Sequence, residues 1–193
     1  NDKHSLGARV ERHDQFNTYN DMWVDTENNL TGRDLSHQDG HTHYPYNWQS
    51  NAYYNGQVGK LNIDLNVDFV TDKENDDDQT DVILPEARTM QQDSHTWSRL
   101  WATKLVLSYP VWKGQLQAGT EMSFVKRQSS SSITNYPLPS TDTDVKENNV
   151  AAFMAYNANL EKYGTISAGL RYEHVGFDYI DNLDAENNMT RYQ

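Results

Sequence analysis

Glu121 and Glu173 could supply a pair of carboxyl groups for glycoside hydrolysis, in which one acts as an acid and the other as a base or nucleophile. Each lies on the polar side of a predicted strand. Arg171 shares that side with Glu173, and Lys104 lies on the polar face of its own strand, so charge compensation also explains these residues. The sequence has no Gly-x-Ser-x-Gly, no His-Glu-x-x-His and no phosphate-binding loop. We therefore predict no catalytic residue and no enzymatic activity.

His41 and His43 have a spacing that could bind a transition metal, because alternate residues on an extended strand point the same way. His37, Asp34 and Asp39 lie nearby in the sequence. The segment reads as a long polar loop in which no third ligand has a reliable spacing. The prediction is that the chain has no metal site and no cofactor.

An acidic run could chelate calcium through carboxylate oxygens, but it lacks the glycine and the terminal glutamate of the EF-hand loop. A solvated acidic loop is the favoured interpretation. The run contains Asp72, Asp76, Asp77, Asp78 and Asp81.

The densest group of aromatic side chains supplies the candidate ligand-binding residues, because such rings stack on sugar faces and would suit a glycan. The favoured alternative is a girdle of rings at the outer boundary of a membrane, where a loop becomes a strand. The group consists of Tyr44, Tyr46, Trp48, Tyr53 and Tyr54.

The composition excludes several classes of protein. The 193 residues carry 16 Lys and Arg against 28 Asp and Glu, and a net charge of −12 argues against nucleic acid as a partner. The mean hydropathy of −0.91 is typical of disorder, but 12 Tyr, 5 Trp and 5 Phe contradict it. The absence of cysteine excludes disulfides and thiolate sites. No apolar stretch is long enough for a transmembrane helix.

Strict alternation of apolar and polar residues is the clearest structural signal. The apolar set Leu61, Ile63, Leu65, Val67 and Phe69 alternates with Asn62, Asp64, Asn66 and Asp68. On a strand, the two sets face opposite sides of the sheet, whereas a helix would scatter the apolar residues around its circumference. Similar patterns predict seven strands and no helix: residues 4–13, 50–58, 61–71, 95–109, 115–127, 147–160 and a segment around 166–172.

The predicted connections alternate between long and short. Long loops are expected near 14–49, 72–94 and 128–146, and short turns at Gly59-Lys60, Pro110–Gly114 and Glu161–Gly164. Short turns at one end and long loops at the other are typical of outer-membrane β-barrels, with the short turns in the periplasm. A Greek-key sandwich has no reason to alternate in this way. We expect 115–127 to pair with both 95–109 and 147–160, as in an up-and-down meander.

Three runs of sequence resemble hairpins of the TonB-dependent outer-membrane receptors. They are SNAYYNGQVGKLNIDLNVDF (50–69), KLVLSYPVWKGQLQAGTEMSF (104–124) and ENNVAAFMAYNANLEKYGTISAGLRYEHVGFDY (147–179). The similarity is greatest to receptors of the outer-membrane β-barrel family, in which a carboxypeptidase-regulatory-like domain and a plug precede the barrel. No TonB box, plug domain or signal peptide is recognisable in residues 1–193, so the chain is expected to be one segment of such a barrel.

The prediction is thus an all-β, antiparallel up-and-down meander of seven to eight strands, located in the outer membrane of a Gram-negative bacterium. The resemblance implies nutrient uptake across the outer membrane. The implied partners are outer-membrane lipid, the TonB system through a plug region, and a nutrient ligand, with a glycan as one candidate. Two alternatives stay open: a soluble β-sandwich that binds carbohydrate, and an outer-membrane barrel with a structural, non-transporting role.

Overall fold

A computed structural model describes residues 3–28, 32–136 and 138–193, and for residues 14–16 and 28 it describes the backbone alone. Eight strands form one antiparallel sheet in the order β1 to β8, and each strand pairs with the next one in sequence. The strands are β1 (His4–Asn28), β2 (Gly32–Val58), β3 (Leu61–Leu84), β4 (Arg88–Val111), β5 (Gly114–Thr134), β6 (Thr141–Asn159), β7 (Thr165–Asp181) and β8 (Met189–Tyr192).

The sheet is the predicted meander. The 115–127 segment pairs on one side with β4 and on the other with β6, as expected. The turn between β2 and β3 is Gly59-Lys60, where Gly59 has a φ of +63° that other residues rarely adopt. The described strands lie in a single sheet without a crossover, so the alternative of a Greek-key sandwich is wrong.

The two faces of the sheet differ in polarity, as the alternation predicts. The register places Leu65 beside Leu105 on one face and Asn66 beside Lys104 on the other, without a shift between Asn62 and Val82. Apolar side chains from neighbouring strands therefore form a continuous band. The band includes Leu6, Val10, Leu65, Phe69, Leu105, Leu107, Met122, Phe124, Val150, Met154, Leu170 and Tyr172.

No interior core covers this band within the described residues. The buried hydrophobic side chains are Ala151 and Ala158, and no large side chain is fully buried. Leu6 and Leu170, on the apolar face, are 79% and 77% exposed. A sheet that exposes so much apolar surface needs an apolar environment to cover it, such as the hydrocarbon of a bilayer.

The apolar band has the height of a membrane. On β4 it runs from Trp101 to Tyr109, which matches the roughly 9–11 residues that a tilted strand needs to cross a bilayer. Rings at both ends of this span fit the two interfaces of a membrane. Within the described residues, no helix is long and apolar enough to cross a membrane.

The prediction of long loops is wrong, because most of residues 14–49, 72–94 and 128–146 belong to strands. The sheet continues far beyond the apolar band, and cross-strand hydrogen bonds replace apolar contacts there. His95 Nδ1 lies 3.0 Å from Asn75 Oδ1, and Thr89 donates to Asp81 at 2.6 Å. The connections at this end that are described throughout are 85–87 and 182–188, and the second contains a single turn of 3-10 helix, Ala185–Asn187.

The strands become shorter along the sheet. From β2 to β7 they contain 27, 24, 24, 21, 19 and 17 residues. The turns between β2 and β3, β4 and β5, and β6 and β7 all lie at one end of the sheet, so the difference in length appears at the opposite end. At the turn end the sheet stops close to the apolar band, and at the opposite end it extends far beyond it. Outer-membrane barrels have the same asymmetry, with short periplasmic turns and longer extracellular loops, so in such a barrel the opposite end is extracellular.

Candidate functional site

A network of charged side chains lies on the polar face, at the level of the apolar band. Glu121 on β5 forms ion pairs with Lys104 Nζ at 2.8 Å and with Arg171 Nη1 at 2.7 Å. Arg171 Nε also donates to Glu173 Oε2 at 3.3 Å, and Asn149 Nδ2 donates to Glu173 Oε1 at 2.8 Å. The network joins four neighbouring strands, β4 to β7.

The register explains why these residues meet. Lys104 and Glu121 are cross-strand partners, and Ala151 lies between Glu121 and Glu173. Because Ala151 has a small side chain, Arg171 can reach across β6 to Glu121. The predicted charge compensation on this face is therefore confirmed.

A second polar group continues the network toward β2. Asn51 Nδ2 lies 2.6 Å from both Asn66 Oδ1 and Asp68 Oδ1. Between the two groups the sheet has an open concavity of about 310 Å³, lined by Asn66, Asp68, Lys104, Glu121, Asn149 and Arg171. Such a surface can hold a polar partner by hydrogen bonds and charge.

A histidine and two aspartates meet at the end of the sheet opposite the short turns, beyond the apolar band. The ligand atoms of Asp21, His37 and Asp39 all lie within 4.8 Å of one another. His37 Nε2 lies 2.9 Å from Asp21 Oδ1, and its Nδ1 lies 3.6 Å from Asp39 Oδ2. The ring stacks on Trp23 at 4.3 Å between centroids.

This group differs from the one considered in the sequence. His41 and His43 do lie on one face, with ring centroids 6.3 Å apart, but neither belongs to the group. His41 stacks on Tyr19, and His43 Nδ1 lies 2.6 Å from Asn17 Oδ1. Sequence reasoning misses Asp21, because it predicts a loop over this segment. The Tyr19-x-Asp21-x-Trp23 alternation is the signal that marks a strand there.

We expect the pKa of His37 to lie above the usual value of about 6.5 for histidine. The hydrogen bond to Asp21 stabilises the protonated ring and raises its pKa, and the charges of Asp39 and Asp21 add to the effect. The resulting local stabilisation is fully present below about pH 6.5 and is lost as the pH rises through the folded-state pKa. A metal binds the neutral ring, so the raised pKa of His37 opposes metal binding.

An NMR titration of the histidine ring protons measures this pKa. In the Asp21→Asn variant the pKa of His37 should fall, whereas in a His43→Gln control it should stay unchanged. An unshifted His37 pKa in the unmodified chain would show that the ring does not pair with Asp21 in solution.

The acidic run does not gather around one point. Its residues lie on β3, so Asp76 and Asp78 face the opposite side from Asp77 and Asp81. Burial and the neighbouring charges of Asp76 and Asp77 raise the pKa of Asp78. The expectation of a solvated loop is wrong as to structure, since the run is a regular part of the sheet.

The candidate aromatic residues are divided between the two faces. Tyr54 lies in the apolar band, beside Leu65, while its neighbour Tyr53 faces the polar side beside Asn66. A register shift between His43 and Tyr46 interrupts the alternation, and Tyr44 donates its hydroxyl to Glu74 on the polar side at 3.3 Å. Tyr46 and Trp48 share the face of Tyr54. The five rings therefore do not form a single stacking surface.

The fold and the polar face together define the wall of a membrane β-barrel: one antiparallel sheet, apolar on the lipid side and charged on the other. The sequence profile of the outer membrane protein beta-barrel family matches residues 54–193, and the chain belongs to this family. It is therefore a protein of the outer membrane of Gram-negative bacteria. No curated protein and no solved structure matches the chain.

Proposed function

We propose that the chain forms part of the barrel wall of a TonB-dependent receptor that takes up a nutrient across the outer membrane. The observation that supports this function most directly is the charged network on the polar face. Lys104, Glu121, Arg171 and Glu173 on β4, β5 and β7 are joined by ion pairs, and Asn149 adds β6. This network gives a lumen wall able to hold a polar structure inside the barrel. A plug that fills the lumen would be such a structure.

The sequence supports the same proposal. The hairpins at 50–69, 104–124 and 147–179 resemble those of TonB-dependent receptors, and the last two lie wholly within the part of the chain that matches the family. The function requires no catalytic step. Glu121 pairs with two cations and Glu173 with one, an arrangement that compensates charge rather than preparing an acid for proton transfer.

The test is a comparison of growth in the parent bacterium. A strain without the complete gene and a strain without TonB are grown on a panel of single nutrients that includes glycans and iron chelates. We expect loss of the gene to slow growth on at least one nutrient, and loss of TonB to slow growth on the same one. Returning the gene on a plasmid should restore growth to the strain that lacks only the gene. It should not restore growth to a strain that lacks both the gene and TonB.

A second test uses a full-length variant with Glu121→Gln and Arg171→Gln, which removes the ion pair between β5 and β7. This variant should reach the membrane but transport less of the nutrient than the unmodified protein. Growth that depends on the gene but not on TonB would contradict the proposal. A gene whose loss changes envelope integrity but no nutrient requirement would instead indicate the structural, non-transporting barrel.

A further inference from the structure

Four cations lie on the lipid-facing side of four consecutive strands, just beyond the apolar band. Arg99, Lys126 and Lys146 are direct cross-strand neighbours on β4, β5 and β6. Lys73 on β3 faces the same side, two positions away along the sheet, beside Trp97. We call these four residues the basic belt.

The basic belt lies at the extracellular edge of the membrane. Arg99 and Lys126 are each two residues beyond Trp101 and Phe124, the aromatic residues that end the apolar band on β4 and β5. The next outward-facing position along each strand is therefore at the level of the lipid headgroups. The short turns are at the opposite end, so these headgroups belong to the outer leaflet.

Within the described part of the chain, none of these four cations forms an ion pair with a carboxylate. Asp178 on β7 is the direct cross-strand neighbour of Lys146, and Asp144 faces the same side from β6. Neither forms an ion pair with the belt, and Asp178 accepts a hydrogen bond from Thr190 instead. Arg99 and Lys126 instead lie over the ring of Trp97, at 4.4 and 5.7 Å. Like charges directly opposite each other across a sheet are destabilising, and Arg99, Lys126 and Lys146 are in that position.

This concentration of positive charge is unusual for the chain as a whole, which has a net charge of −12. A surface that is basic, faces the lipid and lies at headgroup level is complementary to phosphate groups attached to lipid. Basic side chains at a membrane surface attract such anions.

We propose that the basic belt binds the phosphate groups of a phosphorylated lipid of the outer leaflet. Arg99 and Lys126, held by Trp97, supply a fixed pair of cations, and Lys73 and Lys146 extend the contact along the sheet. The bound phosphate would relieve the repulsion between the neighbouring cations. This inference depends on the location in the outer membrane and is independent of the proposed transport function.

The experiment compares lipid retention by two matched triple variants of the full-length protein purified in detergent. One variant carries Lys73→Gln, Lys126→Gln and Lys146→Gln in the belt. The other carries Lys60→Gln, Lys113→Gln and Lys162→Gln at the periplasmic turns, with the same change of charge. Binding of phosphorylated lipid A and of the same lipid without its phosphates is measured by native mass spectrometry.

We expect the belt variant to bind phosphorylated lipid A about tenfold more weakly or worse, and the turn variant to bind it like the unmodified protein. Circular dichroism checks that both variants keep their β structure, and a single Lys126→Gln variant, with a smaller loss, covers the case in which the triple variant does not fold. Equal binding of phosphorylated lipid A by the two triple variants would overturn the proposal. It would also be overturned if the unmodified protein bound lipid A equally well with and without its phosphates. Full displacement of the lipid by millimolar inorganic phosphate would indicate a site for free anions instead, and would also overturn it.

Discussion

Leu105→Arg should lower the stability of the folded chain in lipid vesicles by about 2–4 kcal/mol, the cost of a charge at the bilayer midplane on a barrel surface. Leu105 lies midway between Trp101 and Tyr109, the rings at the two ends of the apolar band on β4. Its neighbours across the sheet are Leu65 and Thr120, so no carboxylate is opposite the new charge. Urea-induced unfolding in vesicles measures the difference.

The control places the same charge one residue further along the chain. Val106 is at nearly the same depth but on the polar face, directly opposite Asp64. Val106→Arg should therefore change the stability by no more than about 1 kcal/mol, the usual size of an exposed ion pair. Equal losses in both variants would mean that the apolar face does not contact lipid.

Gly119→Ala should destabilise the sheet by about 1–3 kcal/mol, the usual cost of overfilling a packed site. A Cβ at Gly119 would overlap the backbone carbonyl oxygen of Leu105 and the ring of Phe153, its cross-strand partner. The ring of Phe153 can turn away, but the Leu105 carbonyl oxygen belongs to the backbone of β4 and can move only with that strand. The pairing of these strands would have to shift.

Gly176→Ala is the matched control, since the nearest atom to a Cβ there is Tyr192 Cδ1 at an ordinary 3.4 Å. That variant should be neutral, or slightly more stable because alanine restricts the unfolded chain. Both free energies of unfolding are measured by urea titration in detergent. A neutral Gly119→Ala would show that the strands have more room than this register allows.

The sequence predicts the membrane part of the sheet well, because there the two faces have different surroundings. Between Leu61 and Phe69 one face meets lipid and the other does not, so the apolar residues follow the period of the strand. The predicted turns and pairing follow from the same contrast.

The extracellular part of the sheet was not predicted, because water lies on both sides of it. From Asp72 to Asp81 the residues are polar on both faces, and without hydrophobic contrast the alternation that marks a strand disappears. For the same reason the contact between Asp21 and His37, which needs β1 and β2 to pair beyond the membrane, could not be found. The sequence does predict that Glu121 is compensated by positive charges, because that prediction requires only that the charged residues share the polar face of the sheet.

The decrease in strand length from β2 to β7 makes the extracellular rim of this part of the barrel oblique. The ten-residue difference between 27 and 17 residues corresponds to roughly 20 Å of height, at a rise of about 3.3 Å per residue and a tilt of about 45°. An antibody or phage tail descending on the cell would first meet the tall side, at the upper ends of β2 and β3. A bulky solute has the shorter approach over the low side, at β7.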